Sequence, residues 1–294
     1  MKKYLIFFIC FLFLFGCSNN KVQKVYSDEE INAAISTNNT LIMEEILKNG
    51  VSPNYQFKDG NNLISLALKN NSLDILRVLL KNKADVNMGL GPIKIMGTDK
   101  LSPGQTPIYY VKSLEALKLL VNSGSNINDK NTDGTPLLTY FIKYKPIEYS
   151  IYLVEKGAYL NIVDREGWTP VFWAGISGNS ELLQSMYNKE PLSFAYKDKK
   201  GNYPVYYSYS EPNLEIFLQG HYDLNAKNIY GENILGEVYL KAIANGYLDI
   251  VKKLINIGVD KNYESYGENG IDTAMEYNST EILKYLREIG VKEN

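Results

Sequence analysis

The residues able to do chemistry are scarce in this chain, and their scarcity is informative. Its 294 residues include two cysteines and one histidine. Cys10 and Cys17 both lie in the first seventeen residues, so everything after them lacks a thiol and can form neither a disulfide, a thiolate metal site nor a thiol nucleophile. A lone histidine cannot build a multi-histidine zinc site. His221 stands where a chain-reversing residue is expected, and it reads as a turn residue able to enter the left-handed region. Gly89-x-Gly91 with Gly97 has the glycine density of a phosphate loop. No strand precedes it, however, no GxxxxGK follows, and Pro92 occupies the turn, so it reads as structural. Glu29–Glu30 and Glu44–Glu45 are adjacent carboxylates, but neighbours in a helix do not share a face, and the first pair suits a helix N-terminus. No catalytic residue, metal or cofactor is expected. An enzyme with a carboxylate-based site is the competing class. Lys plus Arg at 31 against Asp plus Glu at 33 leaves no basic excess for a nucleic-acid surface.

The first residues read as an address. Met1-Lys2-Lys3 is a short basic segment, and Tyr4–Phe15 is an uninterrupted apolar run ending at Gly16-Cys17-Ser18. Such a run is short for a hydrocarbon core of about 30 Å but suits a secretory signal. Leu14-Phe15-Gly16-Cys17 resembles the lipobox of bacterial lipoproteins, in which the cysteine becomes the lipidated N-terminus after cleavage. The resemblance implies a signal peptide at residues 1–16, a lipidated Cys17 with a polar tether to residue 26, and a bacterial envelope location. Ser18 in place of an aspartate favours the outer membrane if the cell has two. An ordinary signal peptide or an uncleaved anchor is the alternative.

The elements that follow repeat. A glycine followed two residues on by Thr-Pro, or a degenerate version, begins at Gly60, Gly104, Gly167, Gly201, Gly231 and Gly267, with a shortened form at Gly134. Most intervals are about 30 to 36 residues, with one near 44. Thr106-Pro107, Thr135-Pro136 and Thr169-Pro170 are expected to N-cap and open an inner helix. Each unit closes on a small or turn residue and then an asparagine, at Asn54, Asn87, Asn128, Asn161, Asn225 and Asn262. Outer segments such as Leu73–Leu80 and Leu248–Ile255 carry apolar residues at helical spacing. Ser27-Asp28-Glu29-Glu30 forms a capping box that opens a degenerate first unit.

These motifs resemble the ankyrin repeat, and Asp164-Arg165-Glu166-Gly167-Trp168-Thr169-Pro170-Val171-Phe172-Trp173-Ala174 resembles it most closely. The resemblance covers residues 27–294 as about eight repeats, with an extended finger at 88–103. It implies an all-α ankyrin-repeat solenoid of helix-turn-helix units with β-turn fingers. It also implies a monomer that binds a protein partner through the concave face. Positions carried over from the family's finger contacts are Lys58, Asp59, Asn61, Asp133, Arg165, Glu166, Trp168, Lys199, Lys200, Asn202, Ile229, Tyr230, Glu232, Tyr266 and Glu268. From the inner helices come Lys69, Asn70, Ile176 and Ser177. Tyr109–Tyr110, Phe172–Trp173 and Tyr206–Tyr207 are expected to be mostly core. Trp168 is expected at a finger tip, either as an exposed interface anchor beside Arg165 or folded onto the neighbouring finger.

The function implied is a membrane-tethered protein-interaction scaffold; a structural envelope lipoprotein without a specific partner is the alternative. Lipidation is directly checkable: fatty-acid label should enter the wild-type chain and fail to enter Cys17→Ser, which should also leave the membrane fraction, since two acyl chains anchor stably. Uptake of label by the substituted chain would sink the lipoprotein expectation.

Overall fold

The computed structural model describes residues 24–91, 93–94, 101–102 and 104–293. The signal segment, Cys17 and the tether up to residue 23 lie outside the described residues, as does part of the extended finger. Helices form where apolar residues recur at helical spacing between cap and turn residues. In order, the helical hairpins are α1 (Asp28–Ser36) with α2 (Thr40–Lys48), then α3 (Leu63–Asn70) with α4 (Leu73–Lys81). The third is a 3₁₀ turn, Pro107–Tyr110, with α5 (Leu114–Asn122). Then come α6 (Leu137–Tyr144) with α7 (Ile147–Glu155), and α8 (Pro170–Ser177) with α9 (Ser180–Lys189). The sixth is again a 3₁₀ turn, Pro204–Tyr207, with α10 (Glu211–Phe217). The last two are α11 (Ile234–Ala244) with α12 (Leu248–Asn256), and α13 (Gly270–Glu276) with α14 (Thr280–Glu288). First helices pack on neighbouring first helices and second on second, as in α6 against α8 and α7 against α9. The result is a quasi-one-dimensional, all-α solenoid whose buried residues form one continuous core from Tyr26 to Val291.

Five of the fingers share one closure. At the fifth, the Asp164 N–H donates to the Trp168 carbonyl (3.0 Å) and the Gly167 N–H to the Asp164 carbonyl (3.1 Å), with Gly167 at φ 84°. The second, fourth, sixth and seventh fingers repeat this pattern at Phe57, Asn131, Asp198 and Asn228. The extended finger adds a short antiparallel pair, β1 (Ile93–Lys94) with β2 (Leu101–Ser102), in register Ile93 to Ser102. Its glycines serve close packing. The Gly91 N–H donates to the Gly60 carbonyl at 2.6 Å, and a Cβ at Gly91 would lie 2.8 Å from the Gly60 Cα.

Two sequence expectations fail locally. The Thr-Pro threonines do not cap: Thr106 and Thr169 make no side-chain cap bond, and α6 begins only after Pro136. Thr106 instead donates to Asp129 Oδ2 in the next finger at 2.7 Å. The degenerate positions cap better, since Asn62, Asn233 and Asn269 each accept an N–H of the first turn through a carbonyl oxygen that reaches further than a hydroxyl. His221 does not adopt a left-handed conformation. There α10 ends at Phe217, and the chain turns through Gly220, whose N–H donates to the Phe217 carbonyl, before His221 is reached. In the second unit Lys83, at φ 61°, takes the left-handed place that glycine fills in units such as that of Gly124. The capping box at Ser27 and Glu30 forms as read.

Four of the six closing asparagines make inter-repeat bonds. Asn54, Asn87, Asn128 and Asn262 each accept, through Oδ1, a backbone N–H one unit further on: those of Asp85 (2.6 Å), Asn126 (2.8 Å), Tyr159 (2.8 Å) and Lys292 (3.1 Å). Asn87 also donates to the Gly124 carbonyl at 3.0 Å. Replacing Asn87 by Ala should therefore cost about 1–2 kcal/mol and lower the melting temperature by about 2–4 °C. An unchanged melting curve would mean that the ladder contributes nothing.

Candidate functional site

The first helices place one side chain per unit on the face they share with the fingers. In units two to seven it is the sixth residue after the finger glycine: Leu66, Tyr110, Tyr140, Trp173, Tyr207 and Glu237; the equivalent Thr273 of the eighth unit is buried. The four aromatic members belong to consecutive repeats and are all half-buried. The core expectation for the paired aromatics thus holds for two of the six. Tyr109 and Phe172 are buried, but Tyr110, Trp173, Tyr206 and Tyr207 are not. Adjacent residues point about 100° apart around a helix, so in the first two pairs one member enters the core and its neighbour reaches the face, while Tyr206 and Tyr207 are both half-buried.

Fingers five and six fix their aromatic residues by the same device. Asp164 Oδ1 accepts the N–H groups of Glu166 (3.1 Å) and Trp168 (2.9 Å), while Oδ2 accepts the Trp173 Nε1–H at 2.7 Å. Asp198 Oδ1 accepts the N–H groups of Lys200 (2.8 Å) and Asn202 (2.9 Å), and Oδ2 accepts the Tyr207 hydroxyl at 2.6 Å. Burial and this carboxylate hold the Tyr207 phenol well above the usual tyrosine range. It therefore remains a donor at neutral pH. Burial pushes Tyr206 up to about 12 and holds Lys241, whose ammonium lies 3.5 Å from the Tyr206 ring centroid, below the usual lysine range.

Trp168 is not a projecting tip. It is half-buried, stacked on Phe172 with centroids 5.5 Å apart, and wedged between Trp173 (5.0 Å) and Tyr207 (4.8 Å). Together with Glu166, Asp198, Lys199 and Lys200, the three rings line a cleft of about 420 Å³ between the fifth and sixth fingers. Four of the residues expected from sequence, Glu166, Trp168, Lys199 and Lys200, are thus brought together. Arg165 is exposed and lies across Gly134, and Lys199 donates to its carbonyl at 2.6 Å.

The other expected positions scatter along the face. Asn202 is only 2% exposed and donates to the Tyr207 hydroxyl at 3.0 Å, so it is part of the support and not a contact residue. Lys58 and Asp133 are exposed at finger tips. Asp59, Asn61 and Lys69 form a local chain, with Lys69 Nζ donating to Asn61 Oδ1 at 2.5 Å and lying 4.8 Å from the Tyr110 ring. Asn70 and Ser177 bond to their own helices, and Ile176 is exposed beside Ser177. Ile229 and Tyr230 are exposed on the seventh finger. Glu232 accepts Tyr266 Oη and Asn228 Nδ2, both at 2.7 Å, and these bonds hold its carboxyl below the usual range. Tyr266 (90% exposed) and Glu268 line a second cleft of about 280 Å³ with Glu237, Lys241 and Glu276. Sequence reasoning missed Trp173, Tyr207 and Lys143, whose Nζ lies 3.9 Å from the Trp173 ring. The constant offset from the finger glycine was the available signal.

Comparison with known proteins agrees with this architecture. Family models for ankyrin repeats match residues 108–200, as three copies, and residues 59–88. A putative ankyrin repeat protein of fowlpox virus is 22% identical over 240 residues, 81% of this chain and 39% of that protein. Rabankyrin-5 of Homo sapiens is 23% identical over 68% of this chain and 18% of its own length. Another putative ankyrin repeat protein of fowlpox virus is 29% identical over 48% of this chain and 89% of its own length. The chain thus spans well under two thirds of the first and of the human protein. The fold is an all-α ankyrin-repeat solenoid, and ankyrin repeats are in general non-enzymatic protein-interaction modules. Among the described residues no helix is long and apolar enough to cross a membrane.

The two tryptophans should separate by thermal denaturation. Trp168→Ala removes the wedge and should cost about 2–3 kcal/mol of stability. Trp173→Phe keeps a ring but leaves Asp164 Oδ2 without its donor, and should cost about 1 kcal/mol. A Trp168→Ala chain that melts like the wild type would restore the exposed-tip expectation.

Proposed function

We propose that the chain is a protein-binding scaffold of a bacterial envelope, monomeric and without a cofactor, tethered by lipid on Cys17 and engaging its partner through the fingers and first helices. The binding proposal rests on the cleft between fingers five and six, where Trp168, Trp173 and Tyr207 offer ring surface beside Lys200 and Glu166. Buried aromatic anchors ringed by polar side chains are the residues that dominate interface energies. The tether rests on the basic segment and apolar run that end at Gly16-Cys17, and the outer membrane is favoured by Ser18 where the cell has two membranes.

A photo-crosslinker at position 200, on the rim of the cleft, should capture one discrete protein in the native cell. The same crosslinker at position 181, exposed on the second helix α9, should not. Only a smear of envelope polymer from both positions would favour a structural lipoprotein without a specific partner. Turnover that survives loss of the cleft residues and vanishes with one carboxylate would favour an enzyme.

A further inference from the structure

We infer that the first-helix face of repeats three to six is a groove for an extended, acidic peptide segment of the partner, gripped once per repeat and therefore at about every third residue. This rests on the protein-binding proposal and names the chemistry of what is bound. The grip points are Tyr110, Tyr140, Trp173 and Tyr207, one per unit at a constant offset from the finger glycine. The stripe is bounded, because the equivalent residue before it is Leu66 and the one after it is Glu237. Neighbouring helices pack about 8–10 Å apart, and an extended chain or polyproline II helix advances about 3.1–3.4 Å per residue. Three residues of an extended segment therefore match one repeat. At the cleft, Trp173 and Tyr207 lie 5.0 and 4.8 Å from the Trp168 ring, so their own rings are at most about 10 Å apart, within the reach of three extended residues.

Charge selects the segment. Lys69, Lys112, Lys143, Lys145, Lys199 and Lys200 lie along this stretch, and two of them cover rings, Lys69 over Tyr110 and Lys143 over Trp173. Burial and the neighbouring Lys112 ammonium hold Lys145 below the usual lysine range, so this cation pair gains from an arriving carboxylate. The carboxylates of Asp164 and Asp198 are engaged by finger N–H groups and ring donors. Asp129 accepts Thr106 and Asp133 projects from its finger tip, while Glu166 lines the cleft beside the ring-engaged Asp198. Beyond Tyr207 the sign reverses, with Glu237, Glu268 and Glu276 lining the next cleft around Lys241. An acidic segment is repelled there, so the footprint ends at repeat six. A sugar ring stacking flat on Trp173 would have to displace Lys143, whereas a peptide carboxylate pairs with that ammonium in place.

The test is fluorescence anisotropy with the full chain in mild detergent and a labelled peptide of four Leu-Glu-Pro triplets. That peptide should bind at least about tenfold tighter than Leu-Gln-Pro or Leu-Lys-Pro triplets, or Leu-Glu-Pro-Pro quartets. Trp173→Ala, and separately the pair Lys143→Glu and Lys200→Glu, should each weaken it about tenfold or more. Lys81→Glu, on the outer helix α4, should not. Far-UV circular dichroism checks each variant, and Trp173→Phe substitutes if Trp173→Ala loses helicity. Equal binding by the quartets overturns the three-residue register. Equal binding by the neutral or basic triplets overturns the acidic partner. Displacement of the peptide by an N-acetylglucosamine oligomer overturns the peptide class in favour of a glycan. If no peptide binds while the crosslinker at position 200 still captures one protein, the groove inference falls and the scaffold proposal stands. If neither occurs, both fall.

Discussion

The structure depends on one constraint, that no unit can cover its own faces. Its helices are seven to eleven residues long, below the length at which an isolated helix holds together in water, so each unit is made stable by its neighbours. Apolar stacking supplies the bulk, and a periodic set of polar bonds supplies the register. The asparagine ladder ties the closing loops of successive units. Ser72 and Ser279 donate to carbonyls of the preceding first helices, at Ile35 (2.6 Å) and Ile243 (2.8 Å), and Asn213 does the same at Gly175 (3.0 Å). Each bond reaches back about one repeat to a carbonyl in the last turn of a first helix, and those of Ile35 and Ile243 also accept a local backbone N–H, from Asn38 and Gly246.

The same shortage of internal partners shapes the candidate binding face. In repeats three and six the first helix is cut to a single 3₁₀ turn, Pro107–Tyr110 and Pro204–Tyr207. Carbonyls that a longer helix would engage are taken instead by lysines of the next repeat: Lys145 donates to Val111 (2.8 Å) and Lys241 to Tyr206 (3.1 Å). Lys112 likewise donates to the Lys69 carbonyl at the end of α3. Of these lysines Lys241 also lies over a ring, 3.5 Å from the Tyr206 centroid. Lys69 and Lys143 cover Tyr110 and Trp173 without bonding a backbone carbonyl, so in the groove itself the ring-covering and the backbone-closing lysines are different residues.

Most of the architecture was legible because each repeating signal answers a local need that any single unit has. Finger glycines and the glycines closing the outer helices follow from backbone conformation alone, and the capping box at Ser27 from local hydrogen bonding. What depended on the neighbouring unit was not legible. The closing asparagines were visible as punctuation, but the bonds that four of them make run to a residue about one repeat away. Thr106 looked like a cap and serves the next finger. Trp168 looked like a tip because it sits between Gly167 and Thr169, yet its position is set by Phe172 below it and Tyr207 from the next repeat. The paired aromatics could not be divided between core and face until the start of each first helix was known.

Support and recognition therefore share atoms at this site, unequally. Asp164 and Asp198 each close a finger with one oxygen and orient a ring with the other, so truncating either changes fold and face together. Lys112, Lys145 and Lys199 spend donors on carbonyls, and Lys69 on Asn61. Lys143 and Lys200 differ: both are exposed, and neither ammonium bonds a backbone carbonyl among the described residues. A partner carboxylate meeting these two displaces water alone, whereas one meeting the stapling lysines competes with the backbone of the solenoid. Affinity should accordingly concentrate where the scaffold has least use for the charge, at the cleft of the fifth and sixth fingers, with the stapling lysines adding a background field that favours an acidic segment without being consumed by it.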